Sequence, residues 1–464
     1  MSMWQLKRPD PGPQGGTSPA AVQAAAPAAP AKPGVPHDVD KLMGLKVRIH
    51  QQLIERLNLA ALEKLPRDQV AAETAQVVGD LIDADGVALN RTERAQLIDE
   101  VLDELLGLGP LEPLLKDETI TDILVNGYKT VFVERRGLLE RVPTRFQDER
   151  HLLRIIQKIV SAVGRRVDES SPFVDARLAD GSRVNAIVAP LAIDGSLLSI
   201  RKFSKSPISL DRMIELGSIP AKLKPVLRAI VEARLNIIIS GGTGSGKTTL
   251  LNALSSFINP RERIVTIEDS AELQLQQEHV ARLETRPPNI EGKGEVTQRD
   301  LVKNALRMRP DRIILGECRS GEAFDMLQAM NTGHDGSMTT VHANTPRDAL
   351  SRIEQMIGMS EIDITPRSAR AQIASAIQVV IQIARLPDGR RRLISLSELT
   401  GMEGDTMTMQ EIFRFRVTGK SETGEVLGQF EAAGIRPKFA TLLRDRGIEL
   451  DPALFSPQTD LTTP

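Results

Sequence analysis

The stretch LNIIISGGTGSGKTT, residues 235–249, decides the reading of this chain. Leu235 to Ile239 is a short apolar, β-branched run of the kind that forms a buried parallel strand. It breaks into Gly241-Gly242-Thr243-Gly244-Ser245-Gly246-Lys247-Thr248, which fits G-x4-G-K-[ST]. Leu250, Leu251, Ala253 and Leu254 then recur at helical spacing, so the context is strand, loop, helix. Glycines let the loop point successive N–H groups inward, and the helix N-terminus adds partial positive charge. Gly242, Thr243, Gly244, Ser245, Gly246, Lys247, Thr248 and Thr249 are therefore the expected cradle for a nucleotide's phosphates. Lys247 serves the β- and γ-phosphates and Thr248 offers a hydroxyl to Mg2+.

Composition narrows the rest. The chain has 464 residues, enough for about three domains. A formal net charge of -2 supplies no global basic field for nucleic acid or anionic lipid. Aromatics make up 3% of residues, little material for base stacking. With Cys318 as its single cysteine, the chain forms no internal disulfide framework and no four-cysteine zinc site, which fits a reducing cytoplasm. No apolar run approaches the ~18 residues of a membrane span, and no charged-then-apolar signal opens the chain. The expectation is a soluble protein with only peripheral membrane contact.

Upstream of the loop, residues 1–36 are rich in Pro and Ala and read as a disordered tail. Residues 37–106 read as a three-helix bundle. Its apolar faces are Leu42, Met43, Ile49, Leu53, Ile54 and Leu57, then Val70, Ala71, Val77, Val78, Leu81 and Ile82, then Leu97, Ile98, Val101, Leu102, Leu105 and Leu106. Asn90 and Glu93 form an expected capping box. After the Gly107–Pro113 breaker the period becomes that of strands, giving an α+β domain over 107–203 with an antiparallel sheet. A linker with a short helix covers 204–221. From 222 to 464, strands at 235–239, 263–267, 312–315 and 337–341 alternate with helices, the pattern of a parallel sheet. A helix over about 365–377, a hairpin turning at Pro387-Asp388-Gly389, a strand over 410–417 and a helix over about 438–446 complete the chain.

Alternation in three strands of the α+β domain gathers charge on one face. Val174, Ala176 and Leu178 leave Arg177 on the other side; Val184 and Ala186 leave Arg183; Leu198 and Ile200 leave Arg201. Such a row is ordinarily a solvated ion-pair face. Beside a phosphate-binding domain, guanidinium geometry makes Arg177, Arg183 and Arg201 candidate phosphate contacts. Two downstream strands end in acids, Glu268-Asp269 and Glu317, at the sheet edge where nucleotides bind. One such carboxylate is suited to hold Mg2+ and another to deprotonate water. His334 and His342 follow in NTGHDGSMTTVHAN (331–344), where a histidine can touch a terminal phosphate. Arg319, just past Glu317, reads either as part of an ion-pair network or as a contact to a neighbouring subunit's nucleotide.

IEDSAEL (267–273), LRMRPDRIILGECRSGEA (306–323) and NTGHDGSMTTVHAN resemble the Asp box, atypical Walker B motif and His box of the type II/IV secretion ATPase superfamily. GLGPLEPLLKDETITDILVNGYKTVFVERRG (107–137) is similar to its Tad/Flp pilus-assembly branch, the CpaF/TadA-like ATPases. The resemblance implies an α/β fold: a RecA-like P-loop ATPase domain preceded by an α+β (PAS-like) domain and the helical bundle. It implies ATP and Mg2+ as cofactors, with Glu268 activating water, Glu317 and Thr248 at the metal, and His342 near the γ-phosphate. Arg177, Arg183 and Arg201 become candidate arginine fingers. Gly316 stands where most Walker B motifs carry an aspartate. The implied protein is a cytoplasmic homohexamer docked at the inner membrane, driving a pilus platform protein without contacting nucleic acid itself.

Three other functions compete. A DNA-transport or conjugation ATPase is the nearest, and neutral charge with few aromatics argues against direct DNA handling. A scaffold that binds ATP only to assemble leaves the paired acids Glu268 and Glu317 without a task. A small-molecule kinase requires a substrate-binding insertion that the sequence does not display.

Overall fold

The computed structural model describes several residues between 44 and 53, then residues 67–461 apart from 87–88, 136, 204–206, 289–291, 361, 458 and 460. The expected tail, the apolar positions Leu42, Met43, Ile54 and Leu57, and the start of the linker lie outside the described residues. The chain divides into two compact units, 1–109 and 110–464.

The first unit is helical. Leu45, Ile49 and Leu53 are helical and buried, four residues apart, and pack with Val78, Leu81 and Ile82 of the helix Arg67–Asp85 and Leu97 and Val101 of the helix Arg91–Leu106. Asn90 caps the latter: its side chain accepts from Glu93 N at 2.9 Å, and its own N–H donates to Glu93 Oε2 at 2.9 Å. The capping box thus forms as the sequence predicts.

The second unit holds two sheets. The first has six strands, β1 (Ile120–Asn126), β2 (Val131–Arg135), β3 (Leu138–Val142), β4 (Phe173–Arg177), β5 (Arg183–Ile187) and β6 (Leu197–Arg201), ordered β3-β2-β1-β6-β5-β4 and antiparallel throughout. Between β3 and β4 runs the helix Glu149–Ala162, which buries Leu152, Ile155, Ile156, Ile159 and Val160 along one stripe. β3 is an addition to the sequence reading. Its residues are mostly exposed, so LLERV carries no alternation to betray it.

The second sheet has nine strands. They are β7 (Ile237–Ser240), β8 (Ile264–Glu268), β9 (Val280–Glu284), β10 (Arg312–Cys318), β11 (Met338–Val341), β12 (Val379–Arg385), β13 (Arg391–Glu403), β14 (Thr406–Lys420) and β15 (Val426–Ala432). The order is β15-β14-β13-β12-β7-β11-β10-β8-β9. From β12 to β9 neighbours are parallel; from β12 to β15 they are antiparallel, so the sheet is mixed.

Both faces of the parallel part are covered, which explains its unbroken apolar strands. Ile237, Ile239, Ile264 and Ile314 pack towards the helices Lys224–Glu232 and Lys247–Ser255. Ile238, Val265, Ile267, Ile313 and Leu315 pack towards Gln298–Ala305, Glu322–Asn331, Pro346–Gly358 and Pro366–Ala376. Within the apolar run, Asn236 is 1% exposed and holds the strand entry together. Its Oδ1 accepts from Gly336 N at 2.9 Å and Ser337 N at 3.0 Å, and its Nδ2 donates to Ala376 O at 2.7 Å.

Candidate active site

β7, β8, β10 and β11 all run the same way, so their C-terminal ends share one sheet edge, and the chemistry-bearing residues leave from there. β7 runs into Gly241, where an added Cβ would meet Ile383 O at 2.3 Å; only glycine fits against β12. Gly244 (φ 67°) and Gly246 (φ 98°) adopt the left-handed conformation that the loop's tight path requires. Ser245 Oγ donates to Gly242 O at 2.8 Å, closing the loop on itself.

Lys247 opens the following helix and is 8% exposed. Its Nζ donates to Gly242 O at 3.1 Å and lies 3.2 Å from Nε2 of His342, just past β11. Burial pulls the Lys247 ammonium below its ordinary pKa, with Glu317 opposing that shift. His342 Nε2 also lies 3.0 Å from Glu317 Oε1. One ring nitrogen serves Lys247 as acceptor in one tautomer and Glu317 as donor in the other. Burial, then the charge of Lys247, lowers the His342 pKa, so the ring is neutral at pH 7.

Glu317 extends from β10 and is steadied by Arg319, whose Nε donates to Glu317 Oε2 at 2.9 Å. Arg319 Nη1 also donates to Asp269 Oδ2 at 3.2 Å. Arg319 thus ties the two acidic strand ends together within the chain.

Glu268 ends β8 and is 4% exposed. Oε1 accepts from the N–H groups of Glu272 at 2.8 Å and Leu273 at 2.9 Å. Oε2 is buried with no hydrogen-bond partner. Burial is the largest influence on this carboxyl and lifts its pKa to about 7, against the two backbone donors. On β10, Gly316 faces this side chain.

The arginine row forms as alternation predicts. Arg177 pairs across with Arg183, and Arg183 with Arg201. Each guanidinium holds a carboxylate: Arg177 Nη1 donates to Glu284 Oε2 at 2.9 Å, Arg183 pairs with Glu272, and Arg201 Nε donates to Asp122 Oδ1 at 3.0 Å. Arg183 and Arg201 line a cleft of about 200 Å3 with Thr248, Thr249, Asn252, Glu272 and Gln274. Arg177 reaches β9 instead. Of the positions expected to act, Lys247, His342 and Glu317 converge in one contact chain, while Glu268 stands one strand away. Thr243 is exposed on the loop. Two further residues meet the site: Glu272, whose side chain pairs with Arg183 and whose N–H donates to the Glu268 carboxylate, and Arg391 of β13, whose Nε donates to Gly244 O at 2.9 Å. Neither carries a local motif that marks it.

Residues 104–425 match the family described as type II/IV secretion system protein. This chain belongs to that family. A Mycobacterium tuberculosis protein with a provisional conjugal-transfer name is 42% identical over 308 residues, 65% of this chain and 87% of its own length. The conjugal transfer protein TrbB of Rhizobium radiobacter is 33% identical over 284 residues, 60% of this chain and 83% of the relative. The solved VirB11 ATPase of the Brucella suis type IV secretion system is 28% identical, with 62% of this chain and 94% of that one covered and a TM-score of 0.34. In this secretion-family chain, no described helix is long and apolar enough to cross a membrane.

Proposed function

We propose that this secretion-family chain is a motor subunit that hydrolyses ATP in a homohexamer and drives an inner-membrane platform protein of a Tad/Flp-type pilus from the cytoplasmic side. The observation that carries the reading is the contact chain Lys247–His342–Glu317 at the C-terminal ends of adjacent parallel strands, with a buried carboxylate, Glu268, on the next.

The residues fit a nucleoside triphosphate with Mg2+. Gly242 and Gly244 have open space where a side chain would stand, so phosphate oxygens can approach the backbone. Lys247 is held by neutral acceptors rather than by a carboxylate, which leaves its charge available to an anion. Thr248 and Glu317 are the oxygen donors for Mg2+, which when bound neutralises phosphate charge. Glu268 keeps Oε1 occupied by two backbone donors and presents Oε2 as the atom that takes a proton from the attacking water. A pKa near operating pH suits a general base. Arg183 and Arg201, beside Thr248, are the arginines suited to phosphate charge. The RecA-like and PAS-like labels for the two sheet-bearing parts, and the domain limits 107–203 and 222–464, belong to this proposal.

The names of the relatives favour a second reading, an ATPase that powers conjugal DNA transfer. Net charge and aromatic content support the pilus reading over direct DNA handling. Phosphate release by the purified chain with Mg-ATP tests the enzymatic core. Lys247→Ala abolishes release and nucleotide binding; Glu268→Gln abolishes release and retains binding. Full turnover in the Glu268 variant removes the assignment. Stimulation of release by single-stranded DNA, lost with rising salt, decides for the second reading.

A further inference from the structure

We propose that Arg391 is a positioning residue that sets the phosphate loop's affinity for the polyphosphate; this rests on the nucleotide reading above. Arg391 opens β13, two residues beyond Gly389 of the Pro387-Asp388-Gly389 turn. Its Nε donates to Gly244 O at 2.9 Å, and its Cδ would lie 3.3 Å from a Cβ on Gly246, so the side chain runs along the loop from residue 246 to residue 244.

The bond acts on a vulnerable point. The peptide joining Gly244 to Ser245 follows the left-handed Gly244, with left-handed Gly246 one residue further on, and glycine resists rotation of a neighbouring peptide less than any other residue. That peptide's N–H belongs to Ser245 and donates to Gly242 O at 3.4 Å, so its orientation sets the fold of the loop whose N–H groups are the proposed phosphate donors. A cation fixed on its oxygen holds the plane in orientation and polarises the N–H towards stronger donation.

The strand pair carrying Arg391 is itself held in place. Arg385, its cross-strand partner on β12, donates to Gly137 O of the β2–β3 turn at 2.5 Å. On the same strand, Ile383 O stands against Gly241. One hairpin thus touches the phosphate loop at both ends and the six-stranded sheet at its tip.

The test compares the full chain with Arg391→Ala, Arg391→Lys and the reference Lys247→Ala. KM for ATP, kcat, Kd for a non-hydrolysable imido analogue and the thermal midpoint are measured. Arg391→Ala is expected to raise KM and Kd about five- to tenfold, with kcat at saturation within about twofold and an unchanged midpoint. Arg391→Lys restores most of the affinity. Unchanged KM and Kd in Arg391→Ala overturn the inference, as does a fall in kcat and midpoint that lysine does not rescue. If the unmutated chain binds the analogue no better than Lys247→Ala, the nucleotide reading falls and this inference with it. Tight binding by both the unmutated chain and Arg391→Ala removes this inference alone.

Discussion

A Cβ placed on Gly316 would stand 2.8 Å from Cγ of Glu268. The position that most Walker B motifs give to an aspartate is here occupied by the side chain of the neighbouring strand's glutamate. Glycine at 316 is what lets the Glu268 side chain lie against β10, with Oε1 on the backbone donors of residues 272 and 273. Restoring the usual aspartate is therefore expected to harm the protein. Gly316→Ala should lower stability by about 1–3 kcal/mol through overpacking, and Gly316→Asp by more, because it adds a second buried carboxylate. Urea unfolding gives the stability change, and phosphate release should fall with it.

The carboxyl of Glu268 carries a stability penalty whose sign is definite. Its pKa is about 7 in the folded chain and near 4.5 when unfolded, so the folded state binds more protons between those values. Folding stability therefore falls as pH rises from about 4.5 to 7 and stays reduced above. Glu268→Gln removes the charge and keeps the acceptor for both backbone donors. At pH 8 it should stabilise by up to about 3 kcal/mol, and at pH 4.5 hardly at all, while turnover is lost. Thermal unfolding at the two pH values checks this. With Glu268 as the proposed base, kcat/KM of the unmutated chain should fall about tenfold per unit below pH 7 as that carboxyl is protonated.

The three arginines should not be equivalent. Arg183 and Arg201 share the cleft with Thr248 and Thr249, whereas Arg177, paired with Glu284 of β9, is not among the residues that line it. Alanine at 183 or 201 should reduce turnover by about a hundredfold or more, and at 177 by less than about tenfold. Lysine should fail to replace either cleft arginine, since it lacks the planar fork. Steady-state rates at saturating ATP decide the ranking.

Asn236 tests the scaffold apart from the chemistry. It joins the entries of β7 and β11 to the helix Pro366–Ala376 by three side-chain hydrogen bonds of 3.0 Å or less. Asn236→Leu leaves the Gly336 and Ser337 N–H groups and the Ala376 carbonyl buried without these partners. A loss of about 3 kcal/mol or more in chemical denaturation is expected.

The parallel strands were legible because burial on both faces leaves continuous β-branched runs, and each candidate acid or histidine stands at or just past the end of such a run. The arginine row was legible from period-two alternation alone. The less regular strands were not. VARLE of β9 puts charge at alternate positions yet pairs with β8, and β15 contains a glycine covered by the Phe415 ring. Contacts made between distant segments left no local mark: the bond from Arg391 to Gly244 spans 147 residues, and that from Arg183 to Glu272 spans 89. His342 could be suspected from its motif, but its place between Lys247 and Glu317 depends on β10, β11 and β7 being adjacent.

A ring-forming motor that turns over ATP and whose cargo is not DNA couples its rate to assembly alone. The most direct measurement is phosphate release per subunit against protein concentration, with sedimentation reporting assembly and with single-stranded DNA present or absent. A rate per subunit that climbs as a hexamer forms and ignores DNA is the predicted result. A rate carried in full by monomers, or one driven up by DNA, would contradict it.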